Sequence, residues 1–439
     1  MNWTTEQILK LSPDAASAKA ARGLLNPKKW SGLGTNERAV WGLCQGSGSK
    51  PYQAQIDLSE PAFKCSCPSR KFPCKHGLAL FLLLAEQLKE FNQSSPPEWV
   101  AKWIESRSGR AAKKEAKELE ASKAPADPEA QAKTAAKRLE RVKNGVADSQ
   151  RWLEDFVRTG VAQASSKDPA FWENAAARLV DAQAPGLARL VRELSILPSL
   201  GAGWQERMIE HAARLHLLLE GFQRIESLPE DVQSDMRALI GWTEDQDELK
   251  RQPGISDEWT VLGQRTELED RLQVQRCWLK GRQSMRAALL LTFAYGNQAP
   301  FSGLMSGTCF EGELVFFPGR LGLRALLKTR SENTRVAREL SGGSLTEEII
   351  GWSEFVARHP WLQRYPMSLS GVIPMDHDGA WRLIGSERHQ VTLHPHFQSS
   401  WNLAALGGGH PIDVFGEWDG DYLMPLSAVA EGRFVEFES

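Results

Sequence analysis

Cysteine, long apolar runs and net charge are all in short supply in this chain, and each shortage excludes something. Six cysteines among 439 residues cannot form the disulfide framework of a secreted scaffold. The longest uninterrupted apolar stretch, Leu78–Ala85, is eight residues, whereas a membrane-spanning helix needs about 20. The opening MNWTTEQILKLSPDAA has no basic segment leading into an apolar core, so no secretory leader is read there and a cytoplasmic protein is expected. Net charge is only −2, with 41% hydrophobic and 25% charged residues, which fits an ordinary globular chain. The near-neutral total hides a gradient. Residues 1–92 carry 12 Lys/Arg against 7 Asp/Glu, and residues 402–439 carry one Arg against 7 acids. A basic front permits nucleic acid or an acidic protein surface as partner.

What cysteine there is falls mostly in one place. Cys65-Ser66-Cys67, six intervening residues, then Cys74-Lys75-His76 set four soft ligands in two pairs, the complement of one structural zinc ion. Cys65 and Cys67 end a strand pattern, where residues two apart project to the same side. Cys74 and His76 would point nearly opposite ways inside a regular helix. That pair therefore predicts a helix start, with Cys74 in the entering turn after Pro73 and His76 in the first turn. The positive helix end then faces the Cys74 thiolate. With four protein ligands no coordination position stays open, so the Zn²⁺ expected here is structural, and folding and metal binding should be coupled. Cys44, Cys277 and Cys309 are scattered and read as buried apolar thiols.

Around these ligands stand Lys64, Arg70, Lys71 and Lys75, with Phe63 and Phe72. Cations interleaved with aromatics on a rigid loop can contact phosphates and stack on a base, or pack on a protein partner. Equally, the phenylalanines can close a small core while the cations offset the zinc–thiolate charge. The binding candidates are Lys64, Arg70, Lys71, Lys75 and Phe72.

The spacing C-x-C-x₆-C-x-H, after a strand and into a helix, is similar to the bacterial SWIM-type zinc finger. The resemblance runs through Tyr52–Leu84, in PYQAQIDLSEPAFKCSCPSRKFPCKHGLALFLLL, with NPKKWSGLGTNERAVWGLCQGSGSKPYQ resembling the family's lead-in. It implies a ββα zinc unit ligated by Cys65, Cys67, Cys74 and His76. It also implies a role in binding DNA or proteins.

Along the chain, the pattern predicts an α+β multidomain protein with a small ββα zinc-finger unit, an all-helical middle and a mostly β C-terminal domain. Residues 1–92 form the first domain, with the finger at 52–84. Short helices are expected over Thr5–Leu11 and Asp14–Leu25. A break follows at Pro27, Gly32 and Gly34, then a mixed segment over Asn36–Leu43 anchored by Val40 and Trp41. Tyr52–Leu58 alternates as a half-buried strand, Ala62–Cys65 returns, and Lys75–Phe91 is helical. Residues 93–130 read as a charged helical linker in which Trp99–Ile104 docks briefly. Residues 131–250 read as a helical domain, with Asp168-Pro169 opening one helix and Trp204–Phe222 forming another. Residues 251–439 read as a β-rich domain. Its strands include a hairpin through Leu272–Trp278 and Met285–Phe293, with others at Leu314–Phe317, Val372–Met375, Trp381–Ile384 and Val391–Leu393. A helical insert covers Leu345–Arg364.

No phosphate loop, dinucleotide glycine pattern, G-x-S-x-G elbow or H-E-x-x-H is present. The function expected is a non-enzymatic interaction module that binds DNA or protein through the finger, with no membrane partner. Two alternatives stand beside it. One is a protein–protein adaptor without nucleic-acid binding. The other is a metal-dependent enzyme with a site in residues 370–415, where Asp376-His377-Asp378, His389, His394, His396, His410 and Asp413 collect, beside a Gly407–Gly409 loop.

Overall fold

Two glycines hide the first strand from a reading of the residue pattern. The computed structural model describes residues 5–437, except 13–14, 47–49, 59–61, 70, 72, 108–127, 200, 202, 243, 270–271, 296–301 and 387–388. The chain divides into two units: Met1–Ala126 with Glu267–Val274 and Phe293–Phe301, and Asp127–Thr266 with Gln275–Thr292 and Ser302–Ser439.

In the first unit, α1 (Thr5–Lys10) and α2 (Ala15–Arg22) precede β1 (Trp30–Thr35) and β2 (Ala39–Cys44). The sequence reading broke the pattern at Gly32 and Gly34 and left Asn36–Leu43 mixed; the structure pairs β1 and β2 as an antiparallel hairpin instead. Both glycines are strand residues for steric reasons. Gly32 has φ +59, in the register shift between Ser31 and Gly34, where an L side chain is strained. At Gly34, a Cβ would stand 2.5 Å from the Trp41 indole. Then follow β3 (Tyr52–Asp57), β4 (Ala62–Cys65), α3 (Lys75–Glu86) and the short β5 (Asn92–Gln93), which pairs parallel to β1. The sheet order is β4-β3-β2-β1-β5. The ββα finger is thus one corner of a five-stranded sheet. Helix α3 stops at Glu86, short of the expected Phe91, and gives way to a 3₁₀ turn over Leu88–Glu90.

Every residue from Leu78 to Leu83 is fully buried, because α3 packs on the sheet and is itself covered by α1 and α2. The other sheet face is covered too. Helical residues 98–107 (α4) set Trp99, Val100 and Ile104 against Ala39 and Trp41, the docking expected of Trp99–Ile104. This second layer explains why β3, expected to be half-buried, is buried on both faces from Ala54 to Asp57. Asp57, only 1% exposed, receives Arg107 Nε at 3.0 Å. The rest of the expected charged linker, 108–127, lies outside the described residues.

The second unit begins with helices α5 (Pro128–Thr159), α6 (Pro169–Asp181), α7 (Pro185–Ile196), α8 (Trp204–Gln223), α9 (Glu230–Leu239) and α10 (Gln246–Arg251). Asp168 caps α6 by accepting the Ala170 N–H at 2.7 Å, with Pro169 at the first helical position, where its missing N–H costs nothing. Trp152, Phe156, Phe171 and Trp172 form one aromatic cluster in the bundle core.

Strands follow: β6 (Ile255–Glu269), β7 (Leu272–Gly281), β8 (Ala287–Tyr295), β9 (Thr308–Phe316) and β10 (Ala325–Val336), ordered β10-β9-β6-β7-β8. After α11 (Leu345–Arg358) come β11 (Tyr365–His377), β12 (Ala380–Ile384), β13 (Gln390–Thr392), α12 (Ser400–Gly407), β14 (Ile412–Trp418), β15 (Leu423–Ala430) and β16 (Arg433–Glu436). The last six strands form one sheet, ordered β13-β12-β11-β14-β15-β16. A capping box between Ser344 and Glu347 starts α11, and the helix ends before His359-Pro360 rather than reaching Arg364. One expectation is corrected. The glycines at 407–409 are not a free loop: Gly407 ends α12, and Gly408 is its left-handed cap at φ +55. Strands β14 and β15 are buried at nearly every position, so no alternation announces them. The architecture is α+β, with a ββα segment first, helices in the middle and β structure last.

Candidate metal centre and finger surface

Strand pairing brings the first two ligands into place. Cys65 pairs with Ala54 at the end of β4, and Ser66 ties the following turn to β3. Ser66 N–H donates to Gln53 O at 3.0 Å, and Gln53 N–H donates to Ser66 Oγ at 2.9 Å. Cys74 has extended backbone, φ −75 and ψ 162, and is the N-cap of α3, so it sits outside the helix while His76 sits inside. Gly77 lets the helix approach β4, since a Cβ there would lie 3.0 Å from Phe63. The His76 ring packs on Tyr52, centroids 4.9 Å apart.

These elements bring together Cys65, Cys67, Cys74 and His76. Their ligand atoms all lie within 4.8 Å of one another, and Cys65 Sγ is 3.8 Å from His76 Nδ1. In a tetrahedral zinc site, bonds of about 2.0–2.3 Å place ligand atoms roughly 3.4–3.8 Å apart. A small contraction closes the cluster on an ion, so the donor set fits a metal. Among the described residues it is the one group of three or more such side chains able to do so.

The electrostatics point the same way. The Cys74 thiol is held well below its ordinary range, first by the hydrogen bond from Cys65. His76, the Gly77 N–H and Cys67 add to this against the opposing effect of burial. Cys65 is raised correspondingly, by its bond to Cys74 and then by burial, and burial raises Cys67. Thiols this close oppose one another's ionisation, which a bound cation would relieve. Cys44 lies nearby but outside the cluster, buried, with its thiol pushed up by burial and pulled down by Lys75 and Lys29.

Lys64, Lys71 and Lys75 are exposed around the ligands, while Arg70 and Phe72 lie outside the described residues. Phe63 belongs to the core: it is half-buried and meets Phe81 edge-on at 5.9 Å. Tyr52 packs against His76 and Ser66 fixes the Cys65–Cys67 turn; no rule of residue type marks either role in the sequence. Their signal is position: Tyr52 opens a strand and Ser66 lies between two candidate ligands.

The histidines of residues 370–415 are placed differently. His394 and His396 are neighbours, ring centroids 5.2 Å apart, and the His396 N–H donates to His394 Nδ1 at 3.2 Å. His389 instead bonds Thr346 Oγ1 at 2.8 Å. His377 Nδ1 is 3.1 Å from Asp378 in the β11–β12 turn, where Asp378 and Gly379 have positive φ. Among the described residues no three of these groups converge on one point. No helix of the described residues is long and apolar enough to cross a membrane.

Residues 56–85 match the SWIM zinc finger family model, and residues 137–240 match that of the SWIM-associated four-helix bundle domain. No curated protein and no solved structure matches the chain. The first match runs from β3 through the metal cluster to α3, and the second from within α5 to the end of α9.

Proposed function

We propose that the N-terminal unit is a zinc finger that docks on nucleic acid, DNA being the first candidate. One structural Zn²⁺ is held by Cys65, Cys67, Cys74 and His76. The chain acts as a non-enzymatic, cytoplasmic interaction module, with the helical and β parts as its scaffold. The observation that carries this reading is the set of exposed lysines at the rim of the cluster. Lys64 and Lys75 form no ion pair among the described residues. Lys75 and Lys29 both act electrostatically on the buried Cys44. Three thiolates and one Zn²⁺ leave about one negative charge, which these lysines exceed. Arg70 and Phe72, on the loop between the ligand pairs, are proposed as further contacts.

A gel-shift titration with single- and double-stranded DNA at several salt concentrations tests the reading. With about four phosphate contacts, log K for duplex should fall against log salt with a slope of about −3.6. The double variant Lys64→Glu/Lys75→Glu should abolish the shift while leaving bound zinc unchanged. Absence of binding at low salt, or binding indifferent to that variant, would sink the nucleic-acid reading and leave a protein surface as the finger's partner.

A further inference from the structure

The second unit contains a cleft of about 310 Å³, at the small end of the roughly 300–1,000 Å³ of small-molecule sites. Its walls come from α9 and Trp242, from residues 317–324 between β9 and β10, and from residues 359–364 after α11. Trp242, Trp278, Phe317 and Trp361 supply its aromatic surface. The three indoles are each fixed by a bond from Nε1: Trp278 to Glu417 Oε1 at 2.8 Å, Trp361 to Arg214 O at 2.7 Å and Trp242 to Gln183 O at 3.3 Å. What they offer the cleft is ring surface, held rigid.

Four arginines line the same walls: Arg189, Arg276, Arg324 and Arg364. Arg364 is bound to Glu417 at 2.7 Å and Arg189 lies 3.8 Å from Glu193, carboxylates that do not line the cleft. Arg324 differs. Half-buried and stacked over Phe317 at 4.2 Å, its guanidinium has no carboxylate or hydrogen-bond partner among the described residues. Burial pulls its pKa down with nothing acidic nearby to oppose it. The carboxylates in the lining are the exposed Glu244 and Asp235. Asp235 already accepts the Arg320 N–H at 3.0 Å, and burial raises its pKa. Beside it, burial holds His359 toward its neutral form, and the buried His359 Nδ1 has no partner.

We propose that this cleft binds a small aromatic anion, a planar ring carrying a phosphate or a carboxylate, with the anionic group on Arg324 and the ring among Trp242, Phe317 and Trp361. A half-buried guanidinium without a counter-charge is unfavourable in the empty protein. Its planar fork matches a phosphate or carboxylate in bidentate fashion. A cationic ligand meets the wrong sign here, and an uncharged one leaves Arg324 uncompensated.

Isothermal titration calorimetry on the full, zinc-loaded chain tests this with two arms: adenosine and cytidine 5′-monophosphate for phosphate-bearing rings, indole-3-acetate and salicylate for carboxylate-bearing ones. Adenosine and indole are the uncharged controls. One arm should bind one equivalent with Kd below about 1 mM, at least tenfold tighter than its control. Arg324→Gln should weaken that ligand about tenfold or more, about 1.4 kcal/mol, and Arg324→Lys by less. Ala238→Trp, at an exposed α9 position in the lining, should block the cleft without altering charge, and it decides the matter should Arg324→Gln not fold. The Cys65→Ser/Cys67→Ser variant should bind as wild type does, which separates this site from the finger. No binding in either arm, controls binding equally well, or binding unaffected by Ala238→Trp overturns the proposal.

Discussion

Glu417 offers the most quantitative test of how the larger unit is held together. Its side chain is 2% exposed and sits between two arginines, with Arg364 Nη1 at 2.7 Å and Arg265 Nη1 at 3.6 Å. Its other oxygen accepts the Trp278 indole N–H at 2.8 Å. Replacing it by alanine removes the acceptor that these three groups share. Breaking a buried ion pair from one side costs about 3–5 kcal/mol, and a buried orphaned N–H costs about 1–3 kcal/mol. These do not simply add, because the Arg364 side chain is 29% exposed and takes up water once released. A net loss of about 4 kcal/mol follows, and at about 2 °C per kcal/mol for a unit of this size the melting temperature should fall by about 8 °C. Glu417→Gln keeps an acceptor for Trp278 but loses the charge, so it should fall between alanine and wild type. Thermal unfolding followed by near-ultraviolet circular dichroism, which reports tryptophan packing, is the assay. A loss under about 1 kcal/mol in Glu417→Ala would show that the arginines rearrange freely, and the account of a pinned network would be wrong.

Purified protein should contain about one zinc per chain, and Cys65→Ser/Cys67→Ser should lose it together with the fold of the first unit while the C-terminal strands stay folded; metal analysis with circular dichroism decides, and retained metal rejects this ligand set. Gly34→Val should cost about 1–3 kcal/mol, since its Cβ would lie 2.5 Å from the buried Trp41 ring; a melting temperature unchanged from wild type would show that the indole has room to move. Asp257 supplies a pH prediction. Burial pushes its pKa up, but hydrogen bonds from Ser284, Gln283 and Glu258 outweigh that and leave it below the ordinary value. A depressed folded pKa contributes stability that is complete above the unfolded value near 3.9 and is lost as pH falls through the folded one. The stability gap between wild type and Asp257→Asn should therefore be constant above about pH 5 and shrink below about pH 4; a gap that widens in acid contradicts the sign.

How legible the protein was depends on what each residue had to satisfy. The candidate metal ligands could be read because coordination would fix residue type and spacing together. Cys74 at the N-cap and His76 within the first turn follow from the requirement that both reach one point. Helices such as α6, opened by Asp168-Pro169, were readable because caps are local. Strand β1 was not. Its glycines answer to Trp41, seven residues beyond Gly34 and on the neighbouring strand, and no local rule encodes that approach. Strands β14 and β15 lost their alternation because both faces are buried, which depends on the whole sheet. The cleft was invisible for the same reason, since Arg189, Arg324 and Arg364 meet only after helices and strands have docked.

The helix at residues 98–107 has a bearing on how such a finger can travel between proteins. The stretch that carries the metal chemistry is short, and it looks like a cassette that could be cut out and spliced elsewhere. Yet Asp57 inside it is neutralised by Arg107 beyond it, and Ala39 and Trp41 before it are roofed by Val100 and Trp99 after it. Excised at residue 92, the sheet would expose its Ala39–Trp41 face to water, and Asp57 would lose Arg107. The cluster-bearing stretch therefore shares its sheet and its covering helix with residues on both sides of it.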